Sequence, residues 1–278
     1  MLTINRKRSQ GVTEMIKSLL SPYQEFKAQI LERPILLSGK LVCETLYGRK
    51  TQTRRTSNLK SINENLNEWE LIETSHEHNQ SGTYFSAFFM NKKNGERNFV
   101  RCPFGSKGDF LWVRETWRVG AWDVSTKSIA VDYRADNFAR REWIQIFDES
   151  RFKKLVEQSI IDSEEEGFST YGINEGFKWE PGQSPCRWRP SLFMPKEFSR
   201  LTLEIKNIRI ERLHQISEQD AENEGIQFLR EIPDADETLS ARDLFEVLWE
   251  DRNGRGSWKK NPWVWVIEYQ TWEDELPY

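Results

Sequence analysis

The chain has 278 residues, 37% of them apolar and 30% charged, and a formal net charge of −4, enough for about two average domains or one large β-rich domain. No window approaches the roughly 18 uninterrupted apolar residues of a membrane helix. The basic start MLTINRKRSQGV leads into no apolar stretch of signal-peptide length, so a cytoplasmic protein with no membrane partner is expected. Three widely spaced cysteines, Cys43, Cys102 and Cys186, include no Cys-x-x-Cys pair; they exclude a disulfide scaffold and fit a reducing compartment.

Residues 1–60 hold 12 Lys and Arg against 4 Glu, a net of +8, while the remainder is net −12. Within that basic segment, residues 13–31 read as a helix broken at Pro22, giving an N-terminal helical extension over 1–32. The body, 33–278, opens with the apolar strand PILLSG. Ser38 is placed as N-cap of a short helix over Lys40–Tyr47, and Gly48 as its left-handed closing residue. The polar run Arg49–Arg55 enters a strand with Thr51 and Thr53 on one face. Residues 56–80 read as polar loop, 83–90 as a strand, and Asn94-Gly95 as the turn to a partner strand over 98–101. A Gly-rich turn then leads into a strand in which Leu111, Val113 and Glu115 face one way and Trp112, Arg114 and Thr116 the other.

Residues 128–134 form a further strand. The stretch 137–183, helical around 139–158, lacks β periodicity and reads as an insertion. Alternation over 199–213 predicts a long strand, Ser217–Asp220 starts a short helix ended by Gly225, and Ser240–Asp251 is a second, amphipathic helix. Pro262–Tyr269 closes the fold as an apolar strand. The order predicts an α+β fold, a small mixed β-barrel with peripheral helices. Most of the 12 tryptophans belong in its core.

The strongest chemical signal is the run around Lys50. A lysine crowded by Arg49, Arg54 and Arg55 has its pKa lowered toward neutrality and becomes a base for a nearby threonine hydroxyl. The same residues equally suit a solvated basic loop whose threonines serve β propensity. Arg54 and Arg55 suit phosphate contact. Trp112 and Arg114, with neighbouring Glu115, could stack a base and hold phosphate, though Trp112 also reads as ordinary core. His76 and His78 have His-x-His spacing with no third ligand, and no pattern calls for a metal or a cofactor. His214, isolated at a strand end, reads as structural. Nucleotide-loop and common hydrolase signatures are absent.

Four blocks, residues 33–55, 101–118, 186–226 and 243–269, together resemble the ASCH-domain proteins found in phages and prophages, whose core is a PUA-like barrel. The resemblance covers about 110 of the 278 residues and leaves 1–32 and 137–183 outside it. It implies an RNA-related role and a cytoplasmic setting in a phage-infected or prophage-carrying bacterial cell. One branch of that family hydrolyses N4-acetylcytidine through a lysine, a threonine three residues on and a distant glutamate. Its Gly-Arg-Lys-Thr-x-Thr motif stands here as Gly48–Thr53, and its Ala-Glu-x-Glu helix as Ala221–Glu224. The resemblance therefore implies Lys50, Thr53 and Glu224 as catalytic residues, with Glu224 alone giving no such signal. Arg49, Arg54, Arg55, Trp112, Arg114 and Glu115, by their residue chemistry, are the candidates for substrate or nucleic-acid binding. The expected function is hydrolysis of a modified nucleobase or nucleoside. The alternatives are a non-catalytic module binding single-stranded RNA or DNA and a phage accessory protein.

Overall fold

The computed structural model describes residues 30–79, 82–135, 143–168, 177–180, 182–232 and 238–272. The expected helical extension falls almost wholly outside them. The fold is α+β, built on a five-stranded sheet whose spatial order is β1-β6-β11-β12-β2. β1 (Glu32–Leu36) runs parallel to β6 (Phe110–Arg114), while β11 (Thr202–Arg212), β12 (Trp263–Trp272) and β2 (Gln52–Arg55) follow antiparallel. Among the described residues this sheet is open, with β1 and β2 as its edges, so the expected closed barrel is not formed by backbone pairing. The edges are tied instead by a side chain: Arg55 Nη2 donates to the Leu36 carbonyl at 2.6 Å.

Alternation decides what each face of this sheet buries. Leu111, Val113, Leu203, Ile205, Trp265 and Ile267 point into one core. A three-stranded sheet of β3 (Trp69–Asn79), β4 (Gly82–Asn91) and β5 (Arg97–Arg101) packs there through Phe85, Ala87, Phe89 and Val100. Trp265 alone, fully buried, brings roughly 4–6 kcal/mol of transfer free energy before entropy is counted. Val264 and Val266 face the other way. They meet Leu41 of α1 (Gly39–Leu46) and Leu244, Phe245 and Leu248 of α6 (Ala241–Asn253).

Three expectations change. Residues 56–80 contain a short helix, α2 (Lys60–Glu64), and the long strand β3 rather than loop. β3 is an edge strand, so much of its length faces solvent and keeps a polar sequence while its backbone pairs with β4. The strand through Arg114 stops there, and Trp117 begins β7 (Trp117–Asp123) in a separate sheet, order β10-β7-β8-β9, with β8 (Ser128–Tyr133). The stretch read as an insertion without β pattern contributes strands to that sheet. β9 (Trp143–Gln145) and β10 (Phe177–Lys178) are its edges, and the helix lies later than expected as α3 (Glu149–Glu165). Asp148, accepting from Arg151 N, caps α3 at its true start. Phe152, Leu155 and Val156 of α3 pack with Trp117, Trp122 and Tyr133 in a second core.

Six tryptophans are buried, Trp69, Trp112, Trp117, Trp122, Trp249 and Trp265, while Trp143 and Trp272 are exposed. No helix among the described residues is long and apolar enough to cross a membrane.

Candidate active site

Lys50 is positioned by backbone before its side chain does anything. Gly48, at φ +70°, turns the chain off the end of α1, and Arg49 N and Lys50 N both donate to the Glu44 carbonyl at 2.9 and 3.0 Å. Lys50 then forms an isolated antiparallel bridge with Glu224, flanked by Thr51 N donating to Asn223 O and Tyr269 N donating to Thr51 O, each at 2.9 Å. Glu224 is the C-cap of α4 (Glu218–Asn223), a helix started by the capping box of Ser217 and Asp220. Gly225 follows at φ +76°. A Cβ there would lie 2.7 Å from Lys50 Cβ and 3.0 Å from Glu44 Cβ, so only glycine lets the two segments approach.

The bridge seals the Lys50 ammonium completely, with its side chain 0% exposed. Nζ donates to Gln52 O at 2.6 Å, Glu224 O at 2.9 Å and Glu224 Oε2 at 2.9 Å, which occupies all three of its protons. Burial lowers its pKa to about 8, against the opposing pull of the Glu224 carboxylate. The other Glu224 oxygen, Oε1, accepts from Arg54 Nη1 at 3.1 Å. Arg54, also fully enclosed, donates further to Gln52 Oε1, Glu211 and Asp220 at 2.6, 2.7 and 3.2 Å.

Beside this network lies a cavity of about 420 Å³. Its lining includes Thr53, Arg54, Arg55 and Glu224 on one side and Phe245, Leu248, Trp249 and Arg252 of α6 on the other, with Leu36–Ser38 between. Thr53 and Glu224 thus share a cavity, and Lys50 sits behind Glu224 without lining it. No hydrogen bond joins Lys50 to Thr53, and none engages the Thr53 hydroxyl among the described residues.

The other residues singled out from sequence separate from this centre. Arg49 forks onto buried Glu44 at 2.6 and 2.7 Å and lies over the Tyr47 ring, so its charge is already matched. Arg114 stacks on Trp112 at 4.6 Å, but neither lines the cavity. Glu115 pairs with Arg200 at 2.8 and 2.9 Å with both side chains 2% exposed, which makes it a structural ion pair. His76 Nδ1 meets Ser106 Oγ at 2.9 Å, and His214 Nε2 meets Trp258 O at 2.9 Å.

The sequence reading missed Arg252. The signal was available: Phe245, Leu248, Trp249 and Arg252 fall at helical spacing on one face of α6, so an arginine ends an otherwise apolar stripe. Comparison with family models, curated proteins and solved structures finds no match.

Proposed function

We propose that the chain is a hydrolase of the ASCH type that removes an acyl group from a modified nucleobase of the N4-acetylcytidine kind. The observation that carries this reading is the meeting of Thr53 and Glu224 on one cavity, with Lys50 buried behind the carboxylate. The finer fold assignment, a PUA-like barrel, is supported by the Arg55–Leu36 bond across the open edges of the main sheet.

In this scheme neutral Lys50, about a tenth of the population at pH 7 for a pKa of about 8, exchanges one of its three acceptors for the Thr53 hydroxyl and takes its proton. The alkoxide adds to the acyl carbonyl. The carbon–nitrogen bond then breaks, and the Lys50 proton passes by way of Glu224 to the leaving amine. Glu224 next takes a proton from water, the hydroxide adds to the acyl-Thr53 ester, and collapse releases the carboxylic acid while Glu224 returns its proton to the departing Thr53 oxygen. Phe245 and Trp249 provide an apolar wall for the base.

The three acceptors that occupy Lys50 favour a second reading, in which the pair is architectural and the cavity receives a base of RNA or DNA without chemistry. A chromatographic assay on N4-acetylcytidine and related N-acylated nucleosides separates the two. Hydrolysis by the wild type, lost in both Thr53→Val and Lys50→Met with the fold retained, is the expected result. Equal turnover by wild type and Thr53→Val overturns the hydrolase, and absence of turnover with base-specific binding favours the module.

A further inference from the structure

The sequence treats Arg54 and Arg55 alike, as phosphate contacts, yet the structure divides them. Arg54 is neutralised by Glu211, Asp220 and Glu224. Arg55, one residue on, makes no ion pair among the described residues, and neither does Arg252, although the Glu224 carboxylate lies within the field of both. Each is held by one hydrogen bond to the same short wall segment: Arg55 Nη2 to the Leu36 carbonyl, and Arg252 Nη2 to Ser38 Oγ. Both line the cavity. The Arg55 Nε–H is buried without an acceptor. Each guanidinium carries five donors and spends one here.

We propose that Arg55 and Arg252 form an anion subsite for the phosphate of a mononucleotide, so that the cavity takes a nucleotide rather than a free nucleoside.

The charge arithmetic selects this ligand. The lining carries three arginines and one glutamate in a chain whose net charge is −4. Arg54 and Glu224 are committed to the buried network, which leaves two positive charges facing the cavity. A phosphate monoester at pH 7 carries about −1.5 to −2 and presents several acceptor oxygens, which suits a pair of planar guanidinium forks. Burial, then the field of Arg252, already holds the Arg55 guanidinium below its ordinary pKa, and an anion between the two relieves that opposition. A cavity of about 420 Å³ also lies within the usual range of small-molecule sites, roughly 300–1,000 Å³.

The subsite rests on the same cavity as the proposed hydrolysis, but it requires none of its chemistry. The test is calorimetric titration of the full chain with N4-acetylcytidine, its 5′-monophosphate, cytidine 5′-monophosphate and a 5′-hydroxyl trinucleotide that carries only internal diesters. The expected result is that each monophosphate binds at least about tenfold more tightly than acetylcytidine, by the strength of charge-assisted pairs. Arg252→Gln brings the monophosphate down to the nucleoside's affinity, and Arg252→Lys keeps most of the preference. Fluorescence of the buried tryptophans shows that both variants are folded.

Equal affinity for nucleoside and monophosphate, or no binding of either, overturns the subsite. So does an Arg252→Gln variant that retains the preference. Trinucleotide binding as tight as the monophosphate, and equally sensitive to Arg252→Gln, overturns the mononucleotide assignment in favour of a polynucleotide phosphate. A retained phosphate preference without turnover refutes the hydrolase and leaves the subsite standing.

Discussion

The buried Lys50 ammonium makes a quantitative prediction about stability against pH. Its folded-state pKa of about 8 lies below the ordinary 10.5, because burial penalises the charged form. The unfolded chain therefore holds this proton through a window in which the native protein has released it. Wherever the unfolded state binds more protons, stability rises with pH. The Lys50 contribution is thus fully present above pH 10.5 and is lost as pH falls through about 8. A shift of this size corresponds to about 3 kcal/mol.

The perturbation is Lys50→Met, which keeps most of the length of the side chain and removes the titration. Urea unfolding of both proteins at pH 7.5, 9 and 10.5, followed by tryptophan fluorescence, isolates the term by difference. Other titrating groups, such as Tyr269, whose phenol burial pushes upward, occur in both proteins and largely cancel. The wild type should gain about 3 kcal/mol on Lys50→Met between pH 7.5 and 10.5. A difference that stays flat or falls across that window refutes a buried, destabilised ammonium. It would also remove the ground for treating Lys50 as a base near neutral pH.

Glu224→Gln withdraws the anion from both Lys50 and Arg54 and should cost about 3–5 kcal/mol in urea unfolding at pH 7.5. Gly225→Ala places a methyl against Lys50 and Glu44 at positive φ. It should cost more than about 2 kcal/mol, with backbone strain alone contributing about 1–2. Glu115→Ala leaves Arg200 buried without its partner and should lower stability by about 3–5 kcal/mol, while the folded protein keeps its nucleotide affinity by calorimetry.

What the sequence made legible follows from how locally each feature is determined. Caps and glycines act within a turn or two, so α1, α4 and α6 lie close to their expected bounds, and Gly48 and Gly225 take the positive φ that their placement requires. β11 alternates because one of its faces meets a core, whereas β12 reads as a continuous apolar run because Trp265 and Ile267 enter one core and Val264 and Val266 the other. β3 was missed because an edge strand is held chiefly by its backbone, which leaves no side-chain signature. The separation of β6 from β7 was missed because Trp117–Trp122 is buried on both faces, so no period marks where one sheet ends. At the site, Lys50 and Thr53 were visible as residue types in a dense run. The pairing of Lys50 with a residue 174 positions away is a fact of topology, and only the resemblance anticipated it. Charge compensation was not legible at all. Adjacent Arg54 and Arg55 look equivalent until the fold gives one of them ion pairs with three carboxylates and leaves the other without any.

That division bears on why a lysine occupies position 50. As a structural element the Lys50–Glu224 pair is a poor investment, because desolvating two charges consumes most of what their attraction returns, and a hydrophobic residue of similar length would hold the loop as well. The surroundings nevertheless favour the neutral amine: Arg55 and Arg252 add repulsion to the effect of burial. An anion placed between those two arginines would weaken that repulsion and raise the Lys50 pKa. Nucleotide binding and the protonation of Lys50 are therefore coupled. A phosphate on Arg55 and Arg252 favours the lysine that carries a proton, the form that Lys50 takes after abstracting one from Thr53. The same shift lowers the fraction of neutral Lys50 at pH 7, so the coupling moves upward the pH at which Lys50 serves as a base.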